Sequence, residues 1–135
     1  MKIVLDTNVL VSGLLQPFGP SGQIVRLVAA GELILCHDPR ILTEYQEVLL
    51  REKFGFDPER VEILLEEIVA SGIAVAARPL KIRLPDPDDE PFLEVALAGG
   101  ARCLVTGNVK HYPAETRQRV DVMPPRSFID FYRTQ

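Results

Sequence analysis

The chain has 135 residues, which suits one domain, residues 1–135, around one core. Hydrophobic residues make up 47% and charged residues 25%, and a net charge of -4 excludes a basic field over the whole molecule, so any nucleic-acid contact must rest on a local patch. Cys36 and Cys103 form neither a disulfide framework nor a zinc spacing, no apolar run reaches membrane-spanning length, and Asp6 and Asn8 interrupt the apolar start, so buried thiols in the reducing cytoplasm are expected and no membrane contact.

"KIVL" (Lys2–Leu5) is short and apolar on both faces, as a buried parallel strand should be. A helix is predicted from about Asn8 to Leu15. "QPFGPSG" then breaks the chain, and Ser21 is expected to cap a helix ending near Ala30 with Gly31 past its end. Leu33–Cys36 reads as a second strand. Asp38-Pro39 supplies an N-cap and a proline at the first helical position, opening a helix to about Arg51; Asp57-Pro58 repeats the device for a helix to about Ala70.

"GIAVA" is a candidate third strand. The proline-rich segment Pro79–Pro91 leads into a helix ending at Gly99-Gly100, followed by a buried strand, Cys103–Thr106. "VDVM" reads as an edge strand and "SFIDFY" as a C-terminal helix. The apolar residues of that last segment could be core, or could serve a homodimer or partner. Strand–helix alternation predicts a three-layer α/β/α fold with a mainly parallel sheet.

In open parallel sheets, ligands bind beyond the carboxyl ends of the strands. Asp6 follows the first strand in "DTN", and Asn108 follows "CLVT" in "TGN". If those strands are neighbours, both residues face one crevice; the plainer readings are a helix cap and a turn residue. In "PRILTEYQEVLLR" the apolar residues Ile41, Leu42, Tyr45, Val48 and Leu49 form one stripe. Glu44 lies at its edge and can point inward or pair with a nearby Arg, while Glu47 lies opposite and is expected in solvent.

"PDPDDEPF" crowds Asp86, Asp88, Asp89 and Glu90 among three prolines. Capping and the helix dipole account for one or two of these acids, with Asp88 or Asp89 as the cap. Asp86 and Glu90 are expected to be outer or solvated. Carboxylates converging from distant segments would repel unless protonated or bound to cations, and all-oxygen donors select hard ions, Mg²⁺ or Mn²⁺. Two such ions, roughly 3.5–4 Å apart, can activate water and stabilise a phosphodiester's leaving oxygen.

The order "DTN", "ILTEYQEVL", "DPDDEPFLEVALAGGA", "LVTGN" resembles the PIN-domain family of metal-dependent ribonucleases, many of them toxins of toxin–antitoxin pairs. The likeness runs from "IVLDTNVLVSGLL" to "LVTGNVKHYP". It implies a five-stranded sheet in the order 3-2-1-4-5, metal binding by Asp6, Glu44 and Asp89, and Asp88 as a further candidate ligand. Asn8 and Thr106 match supporting positions. Many members carry a fourth acid where this chain has Asn108, whose amide oxygen can ligate a metal but brings no charge.

The resemblance further implies hydrolysis of single-stranded RNA by a metal-activated water, giving a 5′-phosphate and a 3′-hydroxyl, with RNA and an antitoxin protein as partners. Lys110, His111 and Arg40 could touch substrate; as exposed loop or helix residues they need no such role. Other readings stay open. An aspartate-nucleophile phosphatase would need an acid where Asn8 stands. A Mg²⁺-binding receiver-like domain would show paired acids near the first strand. A catalytically inactive relative would bind RNA or a partner without cutting.

Overall fold

The computed structural model describes residues 1–135. Its centre is a five-stranded sheet in the order β3-β2-β1-β4-β5, parallel throughout. The strands are β1 (Lys2–Leu5), β2 (Ile34–His37), β3 (Ile73–Ala74), β4 (Cys103–Val105) and β5 (Asp121–Met123). Ile3, Val4 and Leu5 are fully buried in the middle strand, which is why β1 shows no polar alternation. Its register places Ile3 beside both Leu35 and Cys103, and Leu5 beside Val105, so β1 and β4 end level with each other.

The helices packed around this sheet are α1 (Thr7–Leu15), α2 (Pro20–Ala29), α3 (Pro39–Leu49), α4 (Pro58–Ser71), α5 (Glu90–Gly99) and α6 (Pro125–Arg133). Two starts follow the expected chemistry. Asp38 accepts from Ile41 N at 3.0 Å and Asp57 from Glu59 N at 3.0 Å, each with proline next in line. At the other end of α5, Gly100 adopts φ 64°, a left-handed stop that side chains resist.

Several expectations need correction. Ser21 does not cap α2: Gly19 is the N-cap, Pro20 opens the helix, and Ser21 is buried one residue inside. Gly22 explains the displacement, because a Cβ there would lie 2.1 Å from the Pro17 carbonyl oxygen, so the preceding loop folds directly onto the first turn. The third strand keeps only Ile73–Ala74 of "GIAVA". Phe128 and Ile129 of α6 are buried and the helix packs on α2, so these apolar residues belong to the core. Cys36 and Cys103 are buried and unpaired, and burial pushes the Cys103 thiol up to about 11.

The proline-rich segment crosses α5 as an irregular strap held by two buried glutamates one helical turn apart. Glu90 accepts from Arg83 Nε at 2.8 Å, Arg83 Nη2 at 2.9 Å and Leu84 N at 2.9 Å. Glu94 accepts from Leu80 N at 3.1 Å and Arg40 Nη1 at 2.7 Å. Glu90 is therefore neither outer nor solvated, since burying its carboxylate fixes the strap. Arg40 is likewise occupied, also donating to Asp38 at 2.9 and 2.7 Å, and does not line the strand-end cleft. No helix is long and apolar enough to cross a membrane.

Candidate active site

Because β1 and β4 are adjacent and end level, the residues just beyond them meet. Asp6 is nearly buried, and its backbone N–H donates to Val105 O at 2.9 Å. Its Oδ2 accepts from Thr106 Oγ1 at 3.0 Å and Tyr112 OH at 3.1 Å. Oδ1 makes only a long 3.5 Å contact with Asn8 N at the start of α1. Two hydroxyls thus fix the carboxylate while one oxygen keeps lone pairs to offer. Burial, then the charges of Asp6 and Asp89, drive the Tyr112 phenol far above its usual range, so it remains a donor.

Glu44 reaches the same place from α3. Tyr45, the next residue, is buried and donates from its hydroxyl to Leu5 O at 2.6 Å, tying the helix to the end of β1. That contact aims Glu44 at the crevice, where Thr7 Oγ1 donates to it. Burial raises the Glu44 carboxyl, with Asp6 and Asp88 adding repulsion; the Thr7 hydrogen bond and Arg51 act the other way. Glu47 is exposed, as its helical position predicted.

The acidic stretch separates by role. Pro87–Asp89 forms a 3₁₀ turn capped by Asp86, whose carboxylate accepts from Asp88 N at 2.9 Å. Asp88 is exposed and does not line the crevice. Asp89 precedes α5 without capping it through its side chain, which leaves that carboxylate beside His111 Nδ1 at 3.1 Å. Burial first, then repulsion from Asp6 and Asp86, raises Asp89 from 3.8 to about 6; His111 lowers it.

Asp6, Glu44, Asp86, Asp89, Asn108 and His111 line one open cleft of about 500 Å³. The sequence alone reaches all of these except Asp86 as an inner-wall residue. Asn8 Oδ1 accepts from Gly107 N at 3.0 Å, bracketing the α1 start to the β4 exit, and Thr106 Oγ1 accepts from Asn108 N at 3.0 Å. Asn8 thus stands as a bracket where a phosphatase would need its second acid. Lys110 is exposed outside the lining. A larger groove of about 660 Å³ lies between α3 and α4, lined by Leu42, Val61 and Leu65, and holds none of these acids.

Thr7 and Tyr112 touch the cleft's carboxylates, and sequence reasoning passes over both. Thr7 sits inside "DTN", where its reach to Glu44, 37 residues on, leaves no local trace. Tyr112 follows the short 3₁₀ turn Val109–His111 and has no periodic pattern to reveal its burial. The donor chemistry of Asp6, Glu44 and Asp89 fits a hard divalent cation. The placement is open: no three acidic, histidine or cysteine side chains are grouped closely enough to make a finished cage.

A family model described as "PIN domain" matches residues 2–110. No functionally curated protein matches the chain. Among solved structures, one similar chain comes from "Crystal structure of VapBC2 from Rickettsia felis bound to a DNA fragment from their promoter". The superposition has a TM-score of 0.58, covers 92% of this chain and 98% of that one, and carries 16% identity, so the likeness is one of fold.

Proposed function

The chain belongs to the PIN-domain family, and from that membership we propose that it is a Mg²⁺- or Mn²⁺-dependent endoribonuclease acting on single-stranded RNA. The observation that carries the proposal is the convergence of Asp6, Glu44 and Asp89 on one cleft, with Asp89 raised to about 6 by burial and neighbouring charge. Burial and the charge of Asp6 raise the proton affinity of both Glu44 and Asp89, and carboxylates so placed are poised to exchange that proton for a cation.

Asp6, Glu44 and Asp89 would hold the metal, with the Asn108 amide oxygen on the facing wall and Asp88 outside the first contacts. When bound, such an ion neutralises phosphate charge and acidifies water. The chain's own residues position the reaction. Thr106 and Tyr112 hold Asp6 in one orientation, and Thr7 holds Glu44. His111, on the cleft wall 3.1 Å from Asp89 Oδ2, would offer a ring N–H to a phosphate oxygen if Asp89 held the ion. Water attack would break the bond from phosphorus to the 3′ oxygen, leaving a 5′-phosphate and a 3′-hydroxyl.

The fold likeness to a VapBC2 chain, together with the motif order, supports a role as the toxin of a toxin–antitoxin pair with an antitoxin partner; a cytoplasmic location and a homodimer belong to the proposal as well. Asn108 favours one second reading, a relative that binds RNA without cutting it, because it removes a charge from the metal wall. The test is cleavage of a mixed-sequence single-stranded RNA by purified protein with Mg²⁺ or Mn²⁺, and its loss with chelator. Activity that survives Asp6→Asn combined with Asp89→Asn defeats the site assignment. A wild type that binds but never cuts establishes the second reading.

A further inference from the structure

The cleft has two ends of different character. Along α1, Thr7 and Asn8 lie by the carboxylates, Val11 and Ser12 follow one turn later, and Leu15 and Gln16 one turn beyond. On α3, Glu44 is followed one turn on by Val48. Over about 12 Å of helix the wall thus passes from carboxylates to an uncharged face where Val11, Leu15 and Val48 stand beside Ser12 and Gln16. Cation binding alone needs no such uncharged half. Phe54, in the 3₁₀ turn Glu52–Phe54 after α3, closes that end.

The Phe54 ring is braced and carries a cation. It is half-buried and stacks on Phe56 with centroids 5.5 Å apart and planes 14° apart. Lys53 Nζ stands 5.1 Å from the Phe54 centroid, and the residue is exposed. Arg51, also exposed, begins the turn. A stacked aromatic face flanked by exposed cations, beside a candidate phosphodiester site, has the composition of a nucleotide subsite.

We propose that Phe54 is a stacking platform for one base of a single-stranded nucleic acid, that Lys53 leaves the ring to meet the adjoining phosphate, and that this subsite positions the strand across the carboxylates. The proposal takes its ligand from the ribonuclease reading. Because every base has a π face, the platform gives affinity with little base preference. A protein partner's apolar side chain would need the same hydrophobic wall but not the aromatic face, and the two are separable.

The chain contains no tryptophan, so Phe54→Trp introduces a single indole at the subsite. This variant is mixed rapidly with a mixed-sequence single-stranded RNA octamer in Mg²⁺, and separately with a duplex of the same composition. Saturable quenching by the single strand, and none by the duplex, is expected before any cleavage. In parallel, Phe54→Leu keeps apolar packing on Phe56 and loses the π face. It should raise KM about ten- to a hundredfold with kcat unchanged, while Phe54→Tyr stays near wild type. Unmoved indole fluorescence, or a Phe54→Leu protein equal to wild type, overturns the platform. A wild type that cuts no RNA would instead defeat the ribonuclease reading, and the quenching result would still decide the platform.

Discussion

Replacing Asp89 by Asn should stabilise the protein in metal-free buffer, although it removes a charged group already facing a histidine. Unfolded, the carboxyl titrates at 3.8; folded, burial and then Asp6 and Asp86 move it to about 6. A folded pKa above the unfolded one means that the native state binds the proton more tightly, so the ionised carboxylate destabilises the fold above about pH 6. At 1.36 kcal/mol per tenfold the full effect is roughly 3 kcal/mol. The cleft is open to solvent, and screening leaves about 1–2 kcal/mol. For a chain of this length that is about 4–7 °C in Tm. Asn can still accept from His111, so the variant isolates the charge. Melts of both proteins from pH 4 to 8 with chelator should show the gain above about pH 6.5, fading toward pH 4 as wild-type Asp89 protonates. A pH-independent gain, or a loss at pH 7.5, refutes the repulsion argument. A loss would mean that Asp89 stabilises α5 after all. Saturating Mg²⁺ should close the gap by stabilising only the wild type.

His37 works in the opposite sense. It is buried with both ring nitrogens unpartnered, and burial lowers its pKa despite Asp38. Below about pH 6.5 the unfolded chain takes up a proton that the fold resists, so stability falls with acid; His37→Phe should flatten that limb in urea titrations, and an unchanged limb counts against it. Tyr112→Phe removes one of two hydroxyl donors to buried Asp6, and should cost about 1–2 kcal/mol by urea midpoint and weaken Mg²⁺ binding. Glu90→Gln keeps one oxygen for Arg83 Nε and Leu84 N but sets an amide N–H against Arg83 Nη2 and removes the charge, so amide exchange at Leu84 should accelerate while the α5 amides stay protected; unchanged exchange would show that the strap is held elsewhere.

The parts legible in the sequence are those with local causes. β1, β2 and β4 show as short apolar runs because parallel strands are covered on both faces, and α3 and α4 announce themselves through Asp-Pro starts. The strand order came from the family resemblance, since no single-chain pattern encodes it. Asp6 and Glu44 stood out by position after a strand and by helical angle. What escaped was pairing across long separations. Arg40 stands one turn from Glu44, and nothing local signals its pairing with Glu94, 54 residues away. Glu90 looked solvated among its acidic neighbours because nothing local reveals that Arg83 and Leu84 fold back over it. Tyr112 lies 106 residues from the carboxylate it fixes.

These misses share a physical cause that also explains the acidic stretch. "PDPDDE" looks like one charged patch, but its acids act in different dielectrics. Asp88 is in water, where charge costs little. Asp86 uses an oxygen to cap a turn. Glu90 is buried and fully matched by donors, so its charge locks the strap. Asp89 is largely buried yet meets only one partner, a histidine that need not be charged, and it is the acid whose proton affinity climbs. An acid costs the fold most where burial outruns pairing, and there a cation gains most. Asn108 fits the same balance. A fourth carboxylate in the cleft would add repulsion that the hydroxyls of Thr7, Thr106 and Tyr112, already donating to Glu44 and Asp6, have no further protons to answer, whereas a neutral amide keeps an oxygen at the wall without the charge.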